Sequence, residues 1–305
     1  MQSRLIALLI GLLGRLPLSL VQRFGRALGW LLYRIPNREQ LNARVNLALC
    51  FPDWSAEARE RLLRETLREN ATTLLEIPLA WRRGWDFWHQ RLSVEPEVGA
   101  LLREARAEGR GVILAAPHLG NWEVGLHYLT QVAPTTAFYR PPREPALEAF
   151  MLAGRARAGS KLAPIDARGI RLLLKALGAG EQVAILPDQQ PRLDGSSGVF
   201  APFFGIPALT MTLVSRMAAK SGAPVVLVYA ARQADGGFLF CGRRAGNRVA
   251  AADLVDAAAA LNAEIEQCVR RFPAQYQWTY RRFRTQPEGA ANPYRRGSPP
   301  QDSGG

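Results

Sequence analysis

The chain has 305 residues, 48% hydrophobic and 21% charged, enough apolar material to bury a full core without disulfide or metal staples. That balance excludes a disordered chain and a polytopic membrane protein. The formal net charge of +13 favours phosphates, acidic proteins or anionic lipid headgroups as partners, although solubility alone is the plainer explanation. Only Lys161, Lys175 and Lys220 are lysines, so the other 36 of the 39 basic residues are arginine. Arginine forks suit phosphate, and a coding bias toward arginine looks the same. Cys50, Cys241 and Cys268 are widely spaced, which argues against a disulfide framework or zinc site and for a reducing compartment.

In chain order, apolar and glycine residues between Arg4 and Arg15 run into a mixed apolar and basic stretch ending at Tyr33. Arg15, Arg23 and Arg26 interrupt it too often for a clean span of roughly 20 apolar residues, and no small-residue cleavage site follows. Residues 1–33 are therefore expected to form a membrane-associated helix lying at the headgroup level. A core-packed helix and a tilted single span through residues 5–33 remain open. From Ser55 to Leu79, the spacing of Leu62, Leu63, Leu67, Leu74 and Leu75 predicts an amphipathic helix capped by Asp53 or Ser55. Trp81, Trp85, Phe87 and Trp88 then cluster beside arginines, as a lipid interface or ordinary helix packing would place them.

The middle of the chain alternates short apolar runs with helical patterns, which predicts an α/β fold with a central, mostly parallel sheet flanked by helices. The strands are expected at 111–116, 135–139, 182–186 and 224–229. Helices are expected at 101–107, 122–131, 145–157, 168–178, 208–221 and 253–271. One domain over 34–290 accounts for these elements, and the Gly-, Ser- and Pro-rich residues 291–305 read as a disordered tail.

With three histidines in the chain, the search for a general base is short. His118 follows an expected buried strand in the run Pro117-His-Leu-Gly-Asn-Trp-Glu123, at the position where open α/β sheets carry their sites. On a straight helix His118 and Glu123 diverge, whereas a turn at Gly120 would return Glu123 to the imidazole. Such a pair is structural as readily as catalytic. Asn121 is a helix cap or a substrate contact. No G-x-S-x-G elbow, HExxH, Walker or dinucleotide motif occurs, so the base is expected to activate a substrate hydroxyl or amine directly.

These residues resemble the H-x4-D/E box of the lysophospholipid acyltransferase superfamily, in the form carried by the bacterial lipid A biosynthesis acyltransferases. Tyr139-Arg140-Pro-Pro, Gly154-Arg155 with Lys161, Leu186-Pro-Asp188-Gln189, Val199 to Pro207 and Pro273 to Phe283 resemble the family's later blocks in order, over about residues 20 to 290. The resemblance implies a glycerolipid acyltransferase-like fold and transfer of a fatty acyl chain from acyl carrier protein to a hydroxyl of a lipid A precursor. It further implies the cytoplasmic face of the cell inner membrane, no metal or organic cofactor, and no nucleic acid partner. A lysophospholipid, aminolipid or other glycolipid is the alternative acceptor. By this resemblance His118 is the base, Glu123 orients it, and Arg155 stabilises an oxyanion or holds a phosphate. Arg140 binds the acceptor's phosphate and Asp188 is a supporting polar residue. Phe200, Phe203 and Phe204 line an acyl channel or the core, with Gly205 permitting close approach.

Overall fold

The computed structural model describes residues 10–142, 144–191 and 197–295. Residues 10–13 are helical, and a break ending at Pro17 divides the helix expected over residues 1–33, of which 1–9 lie outside the described residues; then come α1 (Leu18–Arg34), α2 (Arg38–Cys50) and α3 (Ala56–Arg82). Of the two expected caps of α3, Ser55 serves, accepting from the Ala58 N–H at 3.2 Å. Leu62, Leu63 and Leu67 are buried as their spacing predicts, whereas Leu74 is 61% exposed. Helix α1 packs on α3 through Gly25 and Gly29, where a Cβ would stand 2.4 Å from Thr72 Cα and 2.3 Å from Arg68 Cα. Among the described residues, no helix is long and apolar enough to cross a membrane.

The central sheet contains β1 (Leu92–Val94), β2 (Val112–Ala115), β3 (Thr135–Tyr139), β4 (Lys161–Pro164), β5 (Gln182–Ile185), β8 (Val225–Arg232) and β9 (Phe238–Arg244). Their spatial order is β1-β9-β8-β2-β5-β3-β4, and every neighbouring pair is parallel except the β8–β9 hairpin. Strands β6 (Gly198–Phe203) and β7 (Ile206–Met211) form a separate antiparallel pair. The remaining helices are α4 (Trp85–Trp88), α5 (Pro96–Ala107), α6 (Trp122–Val132), α7 (Pro145–Arg157), α8 (Ala167–Gly178), α9 (Leu213–Ser221) and α10 (Leu254–Arg271).

Alternate residues of each central strand feed opposite cores, as the period of two requires. Ile113 and Ala115 meet Leu177 and Val214 on one face. Val112 and Leu114 meet Leu102 and Leu126 on the other. This is the mostly parallel, helix-flanked sheet that the continuous apolar runs predict.

Three local readings change. The helix expected from 208 begins only at Leu213, because Ala208–Met211 pair with β6. Trp81 and Trp88 are buried, so that aromatic cluster packs helices. Phe204 (φ 51) and Gly205 (φ 77) form the two-residue β6–β7 turn, a hairpin geometry that needs positive φ at both positions. Nothing lies within 4 Å of a Cβ at Gly205, so the turn, rather than a close approach, explains the glycine. Phe203 is fully buried between Tyr276 and Phe283, and Phe204 packs on Phe51 and Trp278; both are core. In the expected tail, Tyr294 is buried and its hydroxyl accepts from the Phe283 N–H at 3.1 Å, while residues 296–305 lie outside the described residues.

Candidate active site

Strands β2 and β5 are adjacent and parallel with Ala115 opposite Ile185, so the chain leaves both at the same level. Three residues beyond each pairing come His118 and Asp188. The loop after β2 is fixed by its backbone: the Gly120 N–H donates to Gln275 O at 3.1 Å and the Asn121 N–H to Ala230 O at 2.8 Å. Gly120 has φ 63, and a Cβ there would stand 2.0 Å from Ala230 O, so no other residue fits this turn.

His118 Nδ1 lies 2.7 Å from Asp188 Oδ1, and the His118 backbone N–H donates to Asp188 Oδ2 at 2.9 Å. Burial works against ionising Asp188, but the charge and hydrogen bonds of His118 hold its carboxyl below the usual range. An ionised Asp188 makes Nδ1 the protonated nitrogen and gives Nε2 the lone pair. Tyr276, fully enclosed, hydrogen-bonds the same carboxylate; burial and then Asp188 push its hydroxyl well above its ordinary value.

The carboxylate on His118 is thus Asp188, not Glu123. Helix α6 starts at Trp122 and turns Glu123 away, where Arg155 of α7 takes it with Nη2 at 2.7 Å and Nε at 3.2 Å. The pair is buried, with side-chain exposures of 11% and 4%. Burial raises the Glu123 carboxyl, yet the Arg155 guanidinium brings it below the ordinary value; Glu123 in turn raises Arg155 against its desolvation. Asn121 proves, of its two readings, to be the helix cap and not an exposed substrate contact. It is fully buried, its Oδ1 accepts from the Val124 N–H at 3.2 Å as the α6 cap, and its Nδ2 donates to Glu76 Oε2 at 3.0 Å.

Glu76 belongs to a closed cluster behind the site. Arg232 donates to it through Nε at 2.8 Å and Nη2 at 2.5 Å, and pairs with Glu69. Gln22 of α1 donates to Glu76 at 2.9 Å. This network ties α1, α3, β8 and the start of α6 together.

His118 and Trp122 stand where two cavities meet. One, about 200 Å³, lies under α1 and α3 and is lined by Leu28, Leu32, Leu67, Leu74 and Ile77. The other, about 190 Å³, holds Arg140, Arg155, Gln189 and Met151. Phe138, Arg140, Ile165 and Met211 also line a third cavity of about 560 Å³ that carries Arg216. The expected residues His118, Arg140, Arg155 and Asp188 therefore converge, with Glu123 behind Arg155 and Asn121 in the frame. Phe200, Phe203 and Phe204 line neither cavity at His118.

Sequence reasoning missed Gln189, Gln277 and Tyr276. Gln189 Nε2 lies 3.2 Å from His118 Nε2 and donates to Gln277 Oε1 at 3.0 Å. The signals were present, since Gln189 follows Asp188 directly and the other two lie in the block from Pro273 to Phe283. The three thiols are buried, and burial pushes those of Cys241 and Cys268 up to about 12, so neither offers a thiolate.

A family model described as bacterial lipid A biosynthesis acyltransferase matches residues 3–285. The chain is 34% identical to the lipid A biosynthesis palmitoleoyltransferase of Escherichia coli over 289 residues, 92% of this chain and 90% of the relative. It is 31% identical to the lipid A biosynthesis lauroyltransferase of the same organism, with the same shares covered, and 34% identical to a lipid A biosynthesis acyltransferase of Shigella flexneri. With nearly the whole chain matched, the protein is an acyltransferase and belongs to the bacterial lipid A biosynthesis acyltransferase family.

Proposed function

We propose that this chain transfers a fatty acyl group from the thioester of acyl carrier protein directly to a hydroxyl of a lipid A precursor, with His118 as general base. The observation that carries this reading is the His118–Asp188 pair at the junction of an apolar slot and an arginine-lined groove. Asp188 holds the imidazole so that Nε2, once an acceptor hydroxyl takes the place of the Gln189 amide there, accepts the hydroxyl proton, and its charge supports the imidazolium that forms. The slot under α1 and α3 suits an acyl chain, whose burial is worth about 0.8 kcal/mol per CH₂. Arg140, with Arg216 farther along the groove, suits an anionic headgroup. Arg155, already balanced by Glu123, presents its guanidinium from the cavity wall.

The same reading puts the protein at the cytoplasmic face of the inner membrane. Phe24, Leu31 and Ile35 of the α1 region are exposed and continue toward Leu74, while Arg23, Arg26 and Arg34 occupy the adjoining face of the helix. That arrangement suits a helix lying in an anionic headgroup layer. The overall charge of +13 favours an acidic carrier protein.

The test is mass spectrometry of lipid A and total polar lipids from the host with and without the gene, complemented by wild type or His118→Ala. One acyl chain missing from lipid A and restored by wild type alone is the expected result. An unchanged lipid A with an acyl group missing from another lipid moves the acceptor. Full restoration by His118→Ala overturns the base.

A further inference from the structure

We infer that Gln189, steadied by Gln277, occupies the place of the acceptor hydroxyl in the resting enzyme and then donates to the carbonyl oxygen of the acyl donor as that oxygen gains charge. The inference rests on the reading of His118 as general base and deepens it.

The argument begins with the direction of each hydrogen bond. Asp188 is held ionised, so Nδ1 carries the proton and Nε2 presents a lone pair. Gln189 Nε2, 3.2 Å away, must then be the donor. Its second N–H goes to Gln277 Oε1 at 3.0 Å. Turning the Gln189 amide over would set its oxygen against both the Nε2 lone pair and Gln277 Oε1, two acceptors. Gln277 is itself anchored, because its backbone N–H donates to His118 O at 3.0 Å. The Nε2 lone pair therefore fixes the orientation of the Gln189 carboxamide, and Gln277 turns its oxygen to the second N–H.

A base whose lone pair is already engaged cannot take a proton, so the incoming hydroxyl must displace the Gln189 N–H from Nε2. The displaced amide stays tethered to Gln277, next to the site where hydroxyl and thioester meet. The step balances as follows. The hydroxyl oxygen forms a C–O bond to the thioester carbonyl carbon as its proton passes to Nε2, and the carbonyl π pair moves onto oxygen, where the Gln189 N–H receives it. The C=O bond re-forms as the C–S bond breaks, and the thiolate takes the proton from Nε2. Ester and thiol are the products. Arg155 gives its Nε and Nη2 to Glu123 and so faces the cavity through its remaining N–H groups, whereas Gln189 is the donor in contact with His118 Nε2 itself.

The experiment measures steady-state transfer by the purified full chain in detergent or vesicles. Dodecanoyl and hexadecenoyl thioesters of acyl carrier protein serve as donors and a lipid A precursor as acceptor. Gln189→Met keeps the volume and removes the donor, and kcat is expected to fall on the order of 10²–10³-fold while KM for either substrate moves less than about threefold. Gln189→Glu keeps the shape but puts an acceptor where negative charge develops, so its kcat falls at least as far. Gln277→Leu loosens the tether and costs roughly three- to tenfold. Thermal midpoints accompany each variant, and the Glu variant tests the inference should the Met variant fold poorly. A kcat within threefold of wild type in Gln189→Met or Gln189→Glu, or a loss expressed wholly in KM, overturns it. His118→Ala separates the two layers. If that variant is inactive while Gln189→Met is normal, only the role of Gln189 fails; if His118→Ala remains active, the general-base reading fails first.

Discussion

Two buried ionic clusters flank the Gly120 turn, and they differ in what they leave open. Around Glu76, every oxygen is taken by Arg232, Gln22 or Asn121, and the Arg232 and Glu76 side chains are 4% and 0% exposed. Around Asp188 the carboxylate is equally enclosed, but its partner His118 keeps 13% side-chain exposure and reaches two cavities. A buried carboxylate paired with a basic side chain on either side of the turn thus gives a closed clamp in one case and a cavity-facing pair in the other. The lesson is that burial and charge pairing identify neither one alone; a ring nitrogen facing a cavity, as His118 Nε2 does beside Gln189, sets the second apart.

The largest expected effect sharpens that contrast. Asp188→Asn leaves the shape intact but removes the charge and lets the imidazole take the other tautomer, so transfer by the folded fraction should fall on the order of 10²–10⁴-fold. In the closed cluster the outcome should be reversed. Arg232→Met strands Glu76 and should lower the urea-unfolding free energy by about 3–5 kcal/mol, while the folded fraction keeps its specific activity. A large loss of specific activity at full folding would dissolve the distinction.

Acid should act on both sides of it. The Glu123 and Asp188 carboxyls are held below their ordinary values. Their contribution to stability is therefore complete above the ordinary carboxylate range, about 3.9 for Asp and 4.3 for Glu, and is lost as pH falls through the lowered native values. Urea midpoints between pH 7 and pH 3 should fall in that window, and Glu123→Gln should flatten the decline. The smallest effect lies far from either cluster: Ser55→Ala should cost about 1 kcal/mol and leave transfer untouched, as a urea melt and a rate assay would show.

Much of the frame was legible because it is periodic. The continuous apolar runs at 112–115, 182–185 and 225–229 announced strands buried on both faces, and Asn121 and Ser55 announced helix starts. Strands β1 and β4 escaped because they are short edge strands, and β9, one place in from the edge, because it ends in Gly-Arg-Arg. Residues 208–211 read as helix because Ala, Leu and Met suit either state, and only pairing with Gly198–Ala201 decides between them. At the site, His118 was legible as a histidine just past a buried strand, whereas its partner was not. Proximity in sequence favoured Glu123, while the true neighbour, Asp188, lies 70 residues away and comes close only through strand adjacency. Gln189 stood next to Asp188 in the sequence, but only the direction of its hydrogen bonds tells what its amide does.

The register of β2 against β5 has a consequence for how this enzyme can vary. His118 and Asp188 each sit three residues past a paired position, with Ala116-Pro117 and Leu186-Pro187 as the only material between. Neither span has slack to absorb an added or deleted residue without carrying its side chain past the other. Length changes should therefore be purged from these two spans and tolerated at the distant ends of the same strands, where the connections from α5 and α8 arrive. A library of single-codon insertions would map that asymmetry directly, since the reactive pair is gauged by the sheet itself and not by the loops that hold it.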